Sequence, residues 1–292
     1  MSTLIPAVSS LAPNIVRILG CNPGTYDITR RILLDTGEHN KPKFIKNLKD
    51  TLEDLGVTLQ SIIITHWHHD HVGGLDEIFN NVSVDVNCKV HKLKPESGQE
   101  KSSFSTEVSE KLSYISDGEF LKTDGATLRA IHTPGHTNDH LVVMLEEGNS
   151  LFSGDCILGE GTAVFEDLHS YMKSLHKILD LKPDVIYPGH GPEVHEPMKK
   201  IHEYISHRLH REKQIMDVLL SHKGRSFTPK ELTKIIYKDV PENLHVAAAG
   251  NVTHHLSKLV KEEVIGEFRM LRIFLCCKKQ YVEYIQPFEN GS

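Results

Sequence analysis

The chain has 292 residues, enough for one large domain or a large and a small one at about 150 residues per domain. Its 39% apolar and 25% charged residues sit near the globular average, which excludes disordered, collagen-like and disulfide-stapled classes, and no apolar run approaches the ~20 residues that cross a bilayer. The net charge of −6 gives no general pull on nucleic acid, so any polyanion site must be local, while five irregularly spaced cysteines without a CxxC pair fit a reducing compartment.

Met1 to Arg17 carries one arginine and no long apolar stretch, and reads as neither a secretory signal nor a transit peptide. Asn14 to Leu19 and Ile32 to Leu34 read as short strands, the second running into the turn residues Asp35, Thr36 and Gly37. Phe44, Ile45, Leu48, Leu52 and Leu55 recur at helical spacing, and Gly56 is placed to end that helix. Ser61 to Thr65 is a β-branched run too short for a helix and apolar enough to be covered on both faces. Helical spacing returns at Leu75, Ile78 and Phe79, and strands follow around Val82 to Val90, Thr127 to Ile131, His140 to Leu145 and Val185 to Tyr187. This interleaving predicts an α/β fold with mixed sheets.

The pattern changes near Glu196 and Pro197. Ile201, Ile205, Leu209, Ile215 and Leu219 mark a long amphipathic helix from Met198 to Leu220. Thr228-Pro229-Lys230-Glu231 is a capping box with proline at the first helical position. A third helix, Leu244 to Lys261, carries Leu244, Ala248, Val252, Leu256 and Leu259 on one face. Alternating residues from Val264 to Tyr284 complete the order of a winged-helix module, three helices and then a hairpin. The expected domains are residues 1–196 and 197–292.

The chain holds 20 histidines, and their placement is the first sign of chemistry. Thr65 to Gly74 reads THWHHDHVGG, between a buried strand and a helix, so it forms a loop at the carboxyl end of a strand, where α/β folds place ligands. Spacing of two puts His66 and His68 on one side of an extended segment, while Asp70 and His71 diverge towards a second point. Thr133-Pro134-Gly135-His136-Thr137, Phe152-Ser153-Gly154-Asp155 and Tyr187-Pro188-Gly189-His190-Gly191 each place one further donor after a short apolar strand and beside glycine, which lets backbone approach closely. One such residue alone is an ordinary polar loop residue. The set of seven, too many donors for one ion, suits zinc in a hydrolytic site with an open position.

These motifs resemble the metallo-β-lactamase superfamily over about Asn14 to Pro197. The resemblance implies an αββα sandwich with two metals between its sheets, followed here by the small winged-helix-like domain. It further implies that His66, His68 and His136 hold a first zinc ion, that Asp70, His71 and His190 hold a second, and that Asp155 bridges them. Asp35 matches an early aspartate that is an outer partner rather than a ligand, in keeping with the need to fix histidine tautomers. Two divalent ions, two carboxylates and a bridging hydroxide leave a core charge of about plus one, which favours an anionic phosphodiester over a neutral ester. The bridging water is expected to have a pKa lowered towards about 7, with Asp70 orienting it. His69 and His132 read as rim or structural residues, and Cys156 as a buried inert thiol.

Within the superfamily, Cys21-Asn22-Pro23-Gly24, Leu34-Asp35-Thr36-Gly37-Glu38, Gly154 to Gly161, Tyr187 to Pro192 and Pro241-Glu242-Asn243-Leu244 resemble the β-lactamase-like protein 2 family, to about Lys261. That resemblance implies an endoribonuclease of the mitochondrial matrix that cuts single-stranded RNA. Only 34 residues separate Asp155 from His190, which excludes the inserted domain of cleavage-factor nucleases. Thr25 to Arg31 departs from the family, being too short for the hairpin that borders the active-site mouth, and the tail after Gly266 also departs. The expected RNA contacts are His254, His255, Lys258 and Lys261 on the third helix and His207, Arg208, His210 and Arg211 on the long one, although such a module also serves as a homodimer surface. Two alternatives stay open: a thioester hydrolase resembling glyoxalase II, and a non-catalytic metal-loaded RNA-binding scaffold.

Overall fold

The computed structural model describes residues 8–12, 15–18, 30–95, 98, 100–222 and 225–266. The segment Thr25 to Thr29, the paired cysteines Cys276 and Cys277 and the expected wing beyond residue 266 therefore lie outside the described residues.

Strands β1 (Val8–Ala12) and β2 (Ile15–Ile18) form an antiparallel pair. β3 (Arg30–Leu34) leads through a turn to helix α1 (Pro42–Leu55), whose buried Phe44, Ile45, Leu48 and Leu52 follow the helical period. Gly56, at φ 64°, ends α1 in the left-handed conformation and donates its N–H to Leu52 and Glu53 carbonyls. β4 (Thr58–Ile63) follows, then the short α2 (His69–Val72), α3 (Leu75–Asn81), β5 (Val84–Leu93), α4 (Thr106–Lys111) and β6 (Leu112–Ile115). Among the described residues β3, β4, β5 and β6 make a sheet in that order, parallel throughout. The second sheet has the order β11-β10-β9-β8-β7, from β7 (Phe120–Thr123), β8 (Ala126–His132), β9 (Leu141–Leu145), β10 (Ser150–Gly154) and β11 (Val185–Pro188). It is antiparallel except where β11 pairs β10, which requires a crossover. Helix α5 (Leu168–Leu181), absent from the sequence-based expectation, supplies it.

The layers follow from alternation along the strands. Ile62 and Ile64 turn outward to pack with Phe44, Leu48, Leu52, Leu75 and Ile78, whereas Ile63 turns inward to meet Leu141, Val143 and Leu145 of the other sheet. β9 is buried at every position because it is central and covered on both faces, so it shows no alternation. Beyond the second sheet lie α5 and the amino-terminal half of α6 (Pro197–Ser221), packed on Val142, Leu151 and Ile186. The result is an αββα sandwich.

The carboxyl-terminal half of α6 joins α7 (Pro229–Ile236) and α8 (His245–Lys261) around Ile215, Leu219, Phe227, Leu232, Val252 and Leu256. Both bonds of the capping box form, Glu231 N to Thr228 Oγ1 at 3.1 Å and Thr228 N to Glu231 Oε2 at 2.7 Å. Two apolar-face assignments need correction. Leu209 is exposed, because the buried stripe of α6 passes through Arg208 and Glu212 instead. Leu244 is also exposed, since it ends the short turn before α8 and precedes the first residue of the helix. No described helix is long and apolar enough to cross a membrane.

Candidate metal centre

Each candidate ligand stands just beyond a strand's carboxyl end: His66 to His71 after β4, His136 after β8, Asp155 after β10 and His190 after β11. The seven side chains gather in two groups, with donor atoms within 4.8 Å of one another in each: His66, His68, His136 and Asp155 in one, Asp70, His71 and His190 in the other. Asp155 also faces the second group. Its Oδ2 lies 3.9 Å from His136 Nε2, while its Oδ1 is 3.5 Å from both His71 Nε2 and His190 Nε2.

The outer bonds decide where the ring protons sit. Asp35 accepts at Oδ1 from Thr65 N (2.8 Å), and at Oδ2 from Thr65 Oγ1 (2.8 Å) and His71 Nδ1 (2.7 Å). With its hydrogen donated to Asp35, Thr65 Oγ1 accepts from His66 Nδ1 at 2.9 Å. His136 Nδ1 donates to the Val164 carbonyl at 2.8 Å. His66 and His136 therefore turn bare Nε2 lone pairs inward, and His71, its Nδ1 engaged by Asp35, turns Nε2 towards the second group, where a metal would displace its proton. The Nε2 atoms of His66 and His136 are 3.2 Å apart, and His68 Nδ1 lies 3.0 and 3.1 Å from them. Two lone pairs at that distance repel unless a cation sits between them. His71 Nε2 and Asp155 Oδ1 are buried and without a hydrogen-bond partner, as expected of donors reserved for a metal. The residues present fit a metal ion.

Charge follows the same division. Burial, then the neighbouring histidines, drives the His66 pKa far down, and burial with His136 lowers that of His68, leaving both neutral as ligation requires. Burial opposes protonation of His71 as well, but Asp35, Asp155 and Asp70 outweigh it and raise its pKa to about 9. Burial works against ionised Asp70, yet His71, its own backbone N–H and His190 hold its carboxyl below the ordinary value. Glycines keep the groups close: a Cβ on Gly189 would meet Asp155 Oδ1 at 2.7 Å, and one on Gly135, at φ +133°, would strike Tyr171 Cα at 2.3 Å.

Residues 27–190 match the family described as the metallo-beta-lactamase superfamily, and residues 228–267 the beta-lactamase associated winged helix domain. The chain belongs to the metallo-β-lactamase superfamily. This metallo-β-lactamase chain is 46% identical over 271 residues to "Beta-lactamase-like protein 2 homolog" of Drosophila melanogaster, covering 89% of this chain and 92% of the relative. The homolog of the same name in Caenorhabditis elegans is 42% identical over 274 residues, 90% of each. This chain is also 32–33% identical to fungal relatives, among them the "Atrochrysone carboxyl ACP thioesterase" of Claviceps purpurea at 33% over 280 residues, 91% of this chain and 84% of the relative. A crystal structure of a beta-lactamase domain protein from Burkholderia ambifaria shares the fold, with a TM-score of 0.71 at 16% identity over 94% of this chain and 95% of that one. The family match and the curated relatives make this chain a member of a hydrolase family, with a His/Asp cluster compatible with a metal site.

Two features of this metallo-β-lactamase site escaped the sequence. His140, fully buried, accepts the Asp155 N–H at Nε2 (3.2 Å) and meets Thr133 Oγ1 at Nδ1 (2.9 Å), so it braces the backbone of Asp155; a histidine four residues after His136 is its sole signal. The expected RNA contacts are mostly occupied within the protein. Arg208, His255 and Lys258 are buried, Lys258 is bonded to Glu212, Lys261 to Asp167, and Arg211 lies on the Tyr237 ring. His254 packs edge-on against Phe165, which leaves His207 and His210 exposed. His69 is exposed, His132 Nε2 bonds the Asn138 carbonyl, and Cys156 is buried with its pKa driven upward by burial.

Proposed function

We propose that the protein is a zinc-dependent endoribonuclease that hydrolyses phosphodiester bonds of single-stranded RNA, holding two zinc ions per chain. The observation that carries this is Asp155 turning one oxygen to each of two donor groups. When bound, paired divalent ions supply positive charge for an anionic phosphodiester and a water ionised near neutral pH. His66, His68 and His136 would hold one ion, Asp70, His71 and His190 the other. The Asp35–Thr65–His66 and Asp35–His71 bonds keep the imidazoles in their ligating tautomers. Asp70, half-exposed with Oδ2 3.1 Å from His190 Nε2, stands where it can orient the water. The protein's net negative charge supports a local rather than a general attraction for the polyanion. The resemblance of its motifs to the β-lactamase-like protein 2 family supports RNA as substrate and the mitochondrial matrix as location. Exposed Ile235, Leu244 and Val246 support a homodimer face on the carboxyl-terminal module.

A thioester hydrolase is the second reading, favoured by the fungal relative named as a thioesterase. The test offers zinc-loaded protein fluorescent single-stranded RNA, duplex RNA and S-lactoylglutathione, with Asp155→Ala as control. Single-strand cleavage lost in the control is the expected result. Thioester turnover alone overturns it for the second reading, and RNA binding without turnover overturns both in favour of a scaffold.

A further inference from the structure

Between the candidate ligand Asp155 and helix α5, residues 156–167 form an open strap over the first donor group, with little regular structure of its own. Helix α6 grips this strap at even intervals. Lys200 Nζ donates to the Gly159 carbonyl at 3.3 Å, Tyr204 Oη to the Gly161 carbonyl at 3.1 Å, and Arg208 Nη2 to the Ala163 carbonyl at 3.1 Å. Donors four residues apart on a helix rise about 6 Å per step, and two residues of open chain span at most about 7 Å, so the rungs stay in register. The Tyr204 hydroxyl also accepts from Leu158 N at 3.2 Å.

The next residue matters for chemistry. The Val164 carbonyl receives the His136 Nδ1 proton, yet the Val164 side chain is 70% exposed and anchors nothing. The aim of that carbonyl is thus set by its neighbours. On one side stands Ala163, held by the buried Arg208; on the other Phe165, stacked on Tyr171 at 5.3 Å with Arg208 over its ring at 5.3 Å. Glu166 N and Asp167 N then close the strap onto the Gly135 carbonyl at 2.8 and 3.0 Å.

We propose that Lys200, Tyr204 and Arg208 of α6 are positioning residues for His136, acting through the strap backbone to fix its Nδ1–H tautomer and so its strength as a metal ligand. This rests on the metal-holding reading of the site. Arg208 carries most of the effect, because it alone of the three touches both flanks of Val164. Without it the Val164 carbonyl swings free, and His136 is no longer held with a bare Nε2.

The test compares the full chain with Arg208→Met, Arg208→Lys and Arg211→Met. Zinc retention is read by competition with a chromogenic chelator, and the His136 tautomer by nitrogen NMR of the zinc-free protein. Arg208→Met should weaken retention of one of two ions by about 10- to 100-fold, as loss of an outer partner does. It should also turn His136 into a mixture of tautomers, while Arg208→Lys, which keeps a donor for Ala163, recovers most of both. Arg211→Met removes the guanidinium 3.9 Å from the Tyr237 ring and loosens the carboxyl-terminal module without touching the strap, so it should leave both readings unchanged. Unaltered retention and tautomer in Arg208→Met would overturn the proposal, as would an equal loss in Arg211→Met. A parent protein that binds no zinc overturns the underlying reading instead, and the tautomer comparison still judges the strap.

Discussion

Asp35→Asn isolates the outer bond on which the second donor group depends. Asp35 sits at φ 57°, a conformation that asparagine also tolerates, so the backbone is undisturbed. The carboxylate accepts three protons, from Thr65 N, Thr65 Oγ1 and His71 Nδ1. An amide offers one acceptor oxygen. With that oxygen kept towards Thr65 N, the NH2 faces His71 Nδ1, which must then accept and carry its proton on Nε2, where the metal belongs. Flipped, the NH2 faces the Thr65 N–H, donor against donor. Either way one buried polar group goes unsatisfied, at a cost of about 1–3 kcal/mol. At about 1.4 kcal/mol per decade this weakens metal retention about 5- to 140-fold, chiefly at the group containing His71. Chelator competition against zinc, with the zinc-free melting temperature as a folding control, measures it. Retention equal to the parent for both ions would refute the claim that Asp35 sets the tautomer.

Further predictions concern other parts of the molecule. Gly189→Ala places a Cβ 2.7 Å from Asp155 Oδ1 and should abolish binding of at least one ion while leaving the far-ultraviolet spectrum intact, as calorimetric zinc titration would show. Glu212 is buried; burial raises its pKa, but His255 and Lys258 prevail and hold it below the ordinary value. Its stabilising contribution is therefore present above the unfolded-state pKa and lost as pH falls through the lower folded value. Glu212→Gln should cost about 3 kcal/mol near neutrality, the low end for breaking a buried pair because Glu262 still reaches Lys258 at 2.8 Å, and the deficit in urea unfolding should vanish in strong acid. Burial pushes the Cys88 thiol up to about 11 and Cys156 higher still, so neither should be alkylated in the folded protein at pH 8, by peptide mass mapping.

The residues that announce the site in the sequence share one physical trait: each follows a buried strand and neighbours glycine or another donor, as in Gly135-His136 and Gly189-His190. The division of His66 and His68 from Asp70 and His71 is legible because α2 begins at His69, where extended backbone ends. Bonds that join distant positions left no local trace. Thr65 mediates between Asp35 and His66 across 30 residues, and Lys258 finds Glu212 across 46. Arg208 reads in sequence as an expected RNA contact, and the Ala163 carbonyl with the rings of Phe165, Tyr171 and Tyr204 explains why its guanidinium is buried instead. Helix α5 is absent from the sequence-based expectation although Leu168, Tyr171, Met172, Leu175 and Ile178 keep the helical period and Asp167 caps its start.

Helix α6 is a single 25-residue element that lends Ile201 and Ile205 to one hydrophobic core and Ile215 and Leu219 to another. A cut at its first turn would not free two self-sufficient halves; it would strip the sandwich of part of its outer wall. Severing the helix midway would leave each fragment with a frayed stump in place of a stiff rod. The two cores should accordingly melt as one event, and any shortened version intended to isolate the sandwich has to carry the rod with it.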